Sequence, residues 1–224
     1  MKWTAIVPAR AGSKGLPNKN ILTLQDKPLY MHSVDVALEA GAERVIVTTD
    51  ISQIITSRHE PSVEIHQRPA KLALDTTTME EVILYTCSEL HLSGTTVLLQ
   101  PTSPLRRPTH IHKALEIFSN DKVDLVISVT NADNSILKWG FVDENIFQPI
   151  ADTKYCFANR QQLPPVVRPN GAIYIFDAGT FCAKKGFPLG VIGALHMNEE
   201  ESKDIDLIED FEFCQKLLDF RKRG

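Results

Sequence analysis

From its third residue the chain alternates short β-branched runs with segments of helical periodicity, a rhythm that fits a layered α/β sheet and neither an all-helical nor an all-β domain. Residues 3–7, 44–48 and 125–129 read as strands, and residues 63–65 as a short one. Residues 95–99 form a continuous strand-like run of the kind buried on both faces of a parallel sheet. Residues 29–40 carry apolar side chains at helical spacing, with Pro28 suited to the first turn. A second helix is predicted to begin at Thr77 or Thr78, with Glu80 and Glu81 where the helix dipole favours anions, and a third over residues 109–118. The expected fold is a Rossmann-like, doubly wound, mostly parallel sheet. The rhythm stops after Thr130: residues 131–167 scatter Trp139, Phe141, Phe147, Tyr155 and Phe157 among polar residues and read as a small inserted lobe. Regularity returns with strands at 172–176 and near 190–197. A closing helix over 207–220 is expected to place Leu207, Phe211, Cys214 and Leu218 on one face. Residues 1–130 and 168–224 would then form the α/β body.

Composition narrows the function. A chain of 224 residues buries a sizeable core without covalent staples. Its formal net charge of −4 excludes a generally basic nucleic-acid binder. Cys87, Cys156, Cys182 and Cys214 stand far apart with no C-x-x-C pair, as expected of thiols in a reducing compartment. The opening apolar run Ala5-Ile6-Val7 ends at Pro8, too short for a signal-peptide core, and nowhere do about 18 apolar residues follow one another. The expectation is a cytoplasmic protein with neither a membrane nor a nucleic acid as partner. The seven histidines show no metal-ligand spacing.

The most informative segment is Pro8-Ala9-Arg10-Ala11-Gly12-Ser13-Lys14-Gly15-Leu16-Pro17-Asn18-Lys19-Asn20, which leaves the C-terminal end of the first strand, where open α/β sheets bind ligands. Gly12 and Gly15 permit positive φ and close approach of backbone N–H groups to an anion. Arg10, Lys14 and Lys19 can balance a triphosphate, Arg by bidentate contact and Lys as point charges. Walker A spacing is excluded, because Pro17 stands five residues after Gly12, and G-x-G-x-x-G is absent.

This run resembles the signature of the acylneuraminate cytidylyltransferases, the CMP-sialic acid synthetases. Further segments agree in family order: Leu98-Leu99-Gln100-Pro101-Thr102-Ser103-Pro104-Leu105-Arg106, Arg160-Gln161-Gln162-Leu163-Pro164, Arg168-Pro169-Asn170-Gly171-Ala172-Ile173-Tyr174 and Asp204-Ile205-Asp206. Together they span nearly the whole chain.

The resemblance implies transfer of CMP from CTP to the anomeric hydroxyl of a sialic-acid-like nonulosonic acid, with release of pyrophosphate. Arg10, Lys19 and Asp206 would be the catalytic residues. Ala9, Arg10, Gly12, Ser13, Lys14, Gly15, Lys19, Asn20 and Arg68 would hold the nucleotide. Met79 stands where some relatives carry a small hydroxyl residue. Asp204 and Asp206, one residue apart, share a face in extended backbone and can grip a divalent cation beside phosphate, although the same residues also suit a helix N-terminus. The resemblance favours the metal, Mg²⁺ with Mn²⁺ as a substitute. Gln100, Lys138, Arg160, Gln161 and Arg168 are the sugar-binding candidates, since a nine-carbon acid sugar brings a carboxylate that needs cations. Arg106 reads alternatively as a loop anchor. Residues 131–167 would exchange across a homodimer with shared active sites. Legionaminic and pseudaminic acids stay open as acceptors, because they differ from sialic acid in N-acyl and tail groups. Enzymes activating Kdo or an aldose phosphate fit the Arg160 and Arg168 segments less well. A catalytically dead nucleotide-binding regulator fits poorly with an intact Lys19 and carboxylate pair.

Overall fold

The computed structural model describes residues 1–13, 15–120 and 122–223. In chain order the elements are β1 (Thr4–Ala9), β2 (Thr23–Leu24), β3 (Lys27–Pro28), α1 (Leu29–Glu39), β4 (Arg44–Thr49), α2 (Ser52–Ile55), β5 (Val63–Gln67), α3 (Met79–Glu89), β6 (Thr95–Leu98), α4 (Pro108–Asn120), β7 (Leu125–Ala132), β8 (Gly140–Asp143), β9 (Ile146–Pro149), β10 (Val166–Asp177), α5 (Ala178–Lys184), β11 (Ile192–His196) and α6 (Ile208–Arg223).

Among the described residues, seven strands form one sheet in the order β11-β7-β10-β6-β1-β4-β5. All run parallel except β10, which lies antiparallel between β6 and β7. Side chains alternate across the pleat and divide the core in two. Ala5 and Val7 join Val45, Val47 and Val97 under Val34 of α1 and Ile111 of α4. Ile6 and Leu98 face the other way, under Ile83 of α3 and Phe181 of α5. Helices thus cover both faces, as the continuous apolar strands require. Helix α3 opens with a capping box: Thr78 accepts from the Glu81 amide while Glu81 accepts from the Thr78 amide.

A third cluster positions the site. Leu16, Leu24, Leu29, Leu105 and Ile205 pack with Cys214 of α6, tying the segment after β1 to the segment before the last helix. The buried stripe of α6 is shorter than expected. Phe211, Cys214 and Leu218 pack inward, but Leu207 precedes the helix and is 54% exposed. The cause is Asp210, whose carboxylate accepts from the amides of Asp206 and Leu207 and holds them in a turn.

The stretch expected to be irregular contains ordered pieces. β10 pairs with β7 as far as Val166 with Ala132, so both strands run on beyond the body. The register shifts between Pro169 and Tyr174, a bulge at which Asn170 turns inward and accepts from Ser128 Oγ at 2.5 Å. Beyond the ladder the chain forms short 3₁₀ turns and the β8–β9 hairpin, closed by Glu144 and Asn145, both at positive φ.

Candidate active site

β1, β4 and β6 are parallel, so Arg10, Asp50 and Gln100, just past their C-terminal ends, open on one edge of the sheet. Because β10 runs the other way, its first residues, around Arg168 and Gly171, reach that same edge.

The loop after β1 is fixed from several sides. The amide of Ala11 donates to Asp50 Oδ1 at 2.9 Å, and Asn20 Nδ2 donates to the Arg10 carbonyl at 2.8 Å. Gly12 lies at φ +70°. Gly15 is required for a different reason: a Cβ there would stand 2.4 Å from the Asp206 carbonyl oxygen. Loop and metal-candidate segment therefore pack backbone to backbone. Lys19 then turns inward, its Nζ donating to the Ile205 carbonyl at 2.5 Å and to Asp206 Oδ1 at 3.1 Å. The Lys19 side chain is 10% exposed, whereas that of Asp206 is 73% exposed, so the lysine is anchored and the carboxylate faces the cleft. Arg10 Nη1 pairs with Asp75 Oδ1 at 2.6 Å and reaches the Ala73 carbonyl. Lys14 lies outside the described residues.

Arg68 follows β5, is buried, and donates to the Thr48 carbonyl at 2.8 Å. Burial lowers its pKa to about 10, with Asp50 opposing that shift, so the guanidinium stays charged at neutral pH. Arg106 is fully enclosed and donates to Ala172, Ser33 and Gln100. It anchors the Gln100 loop and the bulge of β10, and burial lowers its pKa to about 9. These contacts fit the reading of Arg106 as a loop anchor.

Two cavities meet here. The first, about 290 Å³, is lined by Arg10, Ser13, Lys19, Asn20 and Arg68, with Met79 from the start of α3. The second, about 570 Å³, is lined by Arg168, Gly171, Tyr174, Lys203, Asp204 and Asp210. Gln100 and Asp206 line both. Gly171 sits beside the Gln100 amide at φ +76°, a backbone conformation that residues with a side chain rarely adopt.

Asp204 and Asp206 fit a divalent cation. Burial, followed by the charge of Asp206, pushes the Asp204 carboxyl above its ordinary range, although Ser103 Oγ donates to it at 3.4 Å. A cation between the two carboxylates would relieve both effects. Among the described residues no group of three or more His, Cys, Asp or Glu could hold a metal ion. The protein would therefore supply two carboxylates and leave the remaining positions to phosphate and water, the arrangement that suits Mg²⁺.

Lys138, Arg160 and Gln161 line neither cavity. They sit on the excursion beyond the ladder, where Arg160 pairs with Asp133 at 3.3 Å and Gln161 borders a shallow depression beside Val166. The site also holds residues that the sequence reading did not single out. Asp50 ties the loop after β1, and Lys203 pairs with Asp210 at 2.6 Å. Asp50 had a usable signal, its place at the end of a predicted strand; Lys203 and Asp210 lie beside the recognised carboxylate pair.

Residues 4–178 match the family described as cytidylyltransferase. The chain is 33% identical over 222 residues to the N-acylneuraminate cytidylyltransferase of Streptococcus agalactiae serotype V, a match covering 94% of this chain and 52% of that protein. It thus spans about half the length of that curated relative. It is also 33% identical over 239 residues to the CMP-N,N'-diacetyllegionaminic acid synthase of Legionella pneumophila, covering 100% of this chain and 99% of that one. Among solved structures, CMP:2-keto-3-deoxy-manno-octonic acid synthetase complexed with CTP superposes with a TM-score of 0.75 at 17% identity, covering 99% of this chain and 100% of that one. No helix among the described residues is long and apolar enough to cross a membrane.

Proposed function

This chain belongs to the cytidylyltransferase family, and we propose that it transfers CMP from CTP to the anomeric hydroxyl of a sialic-acid-like nonulosonic acid. The observation that carries this reading is the pair of cavities meeting at Gln100 and Asp206. One is lined by cations suited to a triphosphate; the other is a wider polar cleft suited to a sugar acid. Their junction is where an acceptor oxygen would meet the α-phosphate.

The reaction forms a bond between the anomeric oxygen and the α-phosphorus. It breaks the bond from that phosphorus to the bridging oxygen, which leaves with pyrophosphate, while the hydroxyl proton passes to solvent. Catalysis of this kind is mostly positioning and charge stabilisation. Lys19, held by the Ile205 carbonyl and Asp206, is already placed at the junction. Arg10 would exchange Asp75 for phosphate oxygens, and Arg68 would hold the nucleotide at the far end of the first cavity. Asp204 and Asp206 would hold Mg²⁺, or Mn²⁺ in its place, which when bound offsets negative charge on the triphosphate. Gln100 and Arg168 would orient the acceptor.

The working unit in this proposal is a homodimer in the cytoplasm, where residues 131–167 of each chain complete the partner's sugar site. Lys138, Arg160 and Gln161 are off their own cleft, and Trp139, Phe141 and Phe157 are exposed on the same excursion. Such a surface suits burial against a second copy. A second reading of the acceptor has a specific observation behind it. A CMP-N,N'-diacetyllegionaminic acid synthase matches at the same 33% identity as the N-acylneuraminate enzyme, so legionaminic acid is that second reading.

Pyrophosphate release with CTP, UTP and ATP against sialic, legionaminic, pseudaminic and Kdo acceptors tests the proposal. Release is expected with CTP and a nine-carbon acid. A pocket built to pair one base edge rejects UTP strongly, because its buried groups stay unpaired. Equal kcat/KM for CTP and UTP, or turnover of Kdo alone, would overturn it.

A further inference from the structure

The second cavity carries an unassigned cation. Of its described lining residues only Arg168 and Lys203 are positively charged, against Glu199, Asp204, Asp206 and Asp210. An anionic acceptor entering such a cleft meets repulsion unless specific cations receive it. The chemistry of a 2-ulosonic acid sharpens that demand. Its carboxylate is bonded to the anomeric carbon itself, so it must lie within a few bond lengths of the attacking oxygen. A remote cation on the rim cannot serve.

Lys203 is the residue next to Asp204, and its ammonium is held by Asp210 Oδ1 at 2.6 Å. The other oxygen of Asp210 accepts from the amides of Asp206 and Leu207 at 3.0 and 2.9 Å. One carboxylate therefore sets both the lysine and the backbone that presents Asp206. The Asp210 side chain is 17% exposed and that of Lys203 41%, and a single ion pair leaves the ammonium further donors for a ligand in the cavity it lines. The preceding residue is fixed as well: Ser202 Oγ accepts from the buried Asn170 Nδ2 at 2.8 Å and donates to the Asn198 carbonyl at 2.6 Å. The lysine is thus pre-positioned beside the reacting end.

Building on the proposed reaction, we propose that Lys203 receives the acceptor's carboxylate opposite Arg168, and that it selects sugar acids whose carboxylate adjoins the anomeric carbon. Asp210 is the positioning residue that aims it.

The test uses Lys203→Met and Lys203→Arg in the full chain, with the acid sugar as substrate and its methyl ester as a competing ligand. The lysine is part-exposed, so the substitution leaves the core intact; Lys203→Gln is a second neutral variant. Loss of a charge-assisted hydrogen bond is expected to raise the acceptor KM about tenfold or more in the neutral variants. The KM for CTP should stay within about twofold, and Lys203→Arg should recover most of the loss. The ester, lacking the charge, should inhibit wild type and Lys203→Met with the same Ki. An unchanged acceptor KM, or a Ki for the ester that rises in step with the acid's KM, would overturn the assignment. If the wild-type protein releases pyrophosphate with no acid sugar, the proposed reaction falls and this inference with it. If wild type is active and Lys203→Met matches it, the inference alone fails.

Discussion

The sheet edge and the excursion beyond β7 and β10 use similar side chains in opposite ways. At the edge, Lys19 and Arg68 are buried and each donates to a backbone carbonyl. On the excursion, the Arg160 side chain is 73% exposed and pairs with Asp133, while Phe157 is 89% exposed. Fixed, desolvated cations do their work within one chain, since nothing further has to arrive for them to be in place. Exposed cations set among exposed aromatics are pre-organised only once another surface covers them.

The largest effect should come from the self-contained side. Asp206→Ala is expected to cost at least about 10²-fold in the rate of pyrophosphate release, the scale of losing a key charge stabiliser. Excess EDTA should be comparably damaging. Near-wild-type turnover in either case would remove the metal from the site.

Complementation addresses the contrast directly. Lys19→Ala damages a residue that acts within its own chain, and Arg160→Ala one assigned to the partner's site. After subunit exchange, a mixed dimer should contain one doubly damaged site and one intact site, so mixed dimers should reach about half of wild-type activity and a fully exchanged equal mixture about a quarter. No recovery despite demonstrated exchange would place Arg160 outside any shared site. A monomer at working concentration would remove the dimer as well.

A smaller effect concerns the charge tension that the edge carries. Burial and Asp206 raise the Asp204 pKa, so the folded protein favours the protonated form. That contribution to stability is fully present below the unfolded carboxylate value, about 4, and is lost as pH rises through the raised folded value. Ionised Asp204 therefore destabilises the metal-free fold at neutral pH. Asp204→Asn should raise the metal-free Tm at pH 7, give no gain below about pH 4, and lower activity. Added Mg²⁺ should raise the Tm of wild type more than that of the variant. A lower Tm for Asp204→Asn at pH 7 would contradict the tension.

The smallest expected change is structural. Thr78→Ala removes the cap of α3, whose first residue Met79 lines the nucleotide cavity. Loss of such a cap costs about 1 kcal/mol, or about 2–4 °C in Tm for a domain of this size. Thermal melts with and without CTP would read it. A shift no larger than that of a surface threonine away from any cap would show that the capping box contributes little.

Sequence periodicity was enough to read the doubly wound sheet, because central strands such as β1 and β6 are buried along nearly their whole length and the helices that flank them carry an apolar face. The Thr78 cap and Glu81 were legible for the same reason, being local. The antiparallel course of β10 was not, since strand direction depends on how residues 131–167 return the chain. Leu207 misled because helical spacing alone does not reveal that Asp210 holds its amide in a turn. At the site, the glycines of the loop after β1 were legible as permissive positions. The specific need at Gly15, close approach to the Asp206 carbonyl, joins segments far apart in the chain and is visible only in three dimensions. Likewise nothing local marks Asp75 as the partner of Arg10.

The backward strand has a consequence for how the chain is made. β7 is hydrogen-bonded to β10 and β11 but not to β6, so the sheet is two pieces that β10 alone joins. During synthesis, β1, β4, β5 and β6 are complete long before residue 166 emerges, and β6 waits with the N–H and C=O groups of one edge unpaired. An open edge of that kind invites pairing with other chains, and domains of this size already pass through aggregation-prone intermediates. A nascent chain halted between β9 and β10 should therefore depend on chaperones far more than one that has cleared residue 177. Lengthening the excursion would prolong that interval without altering a pairing of the seven-stranded sheet.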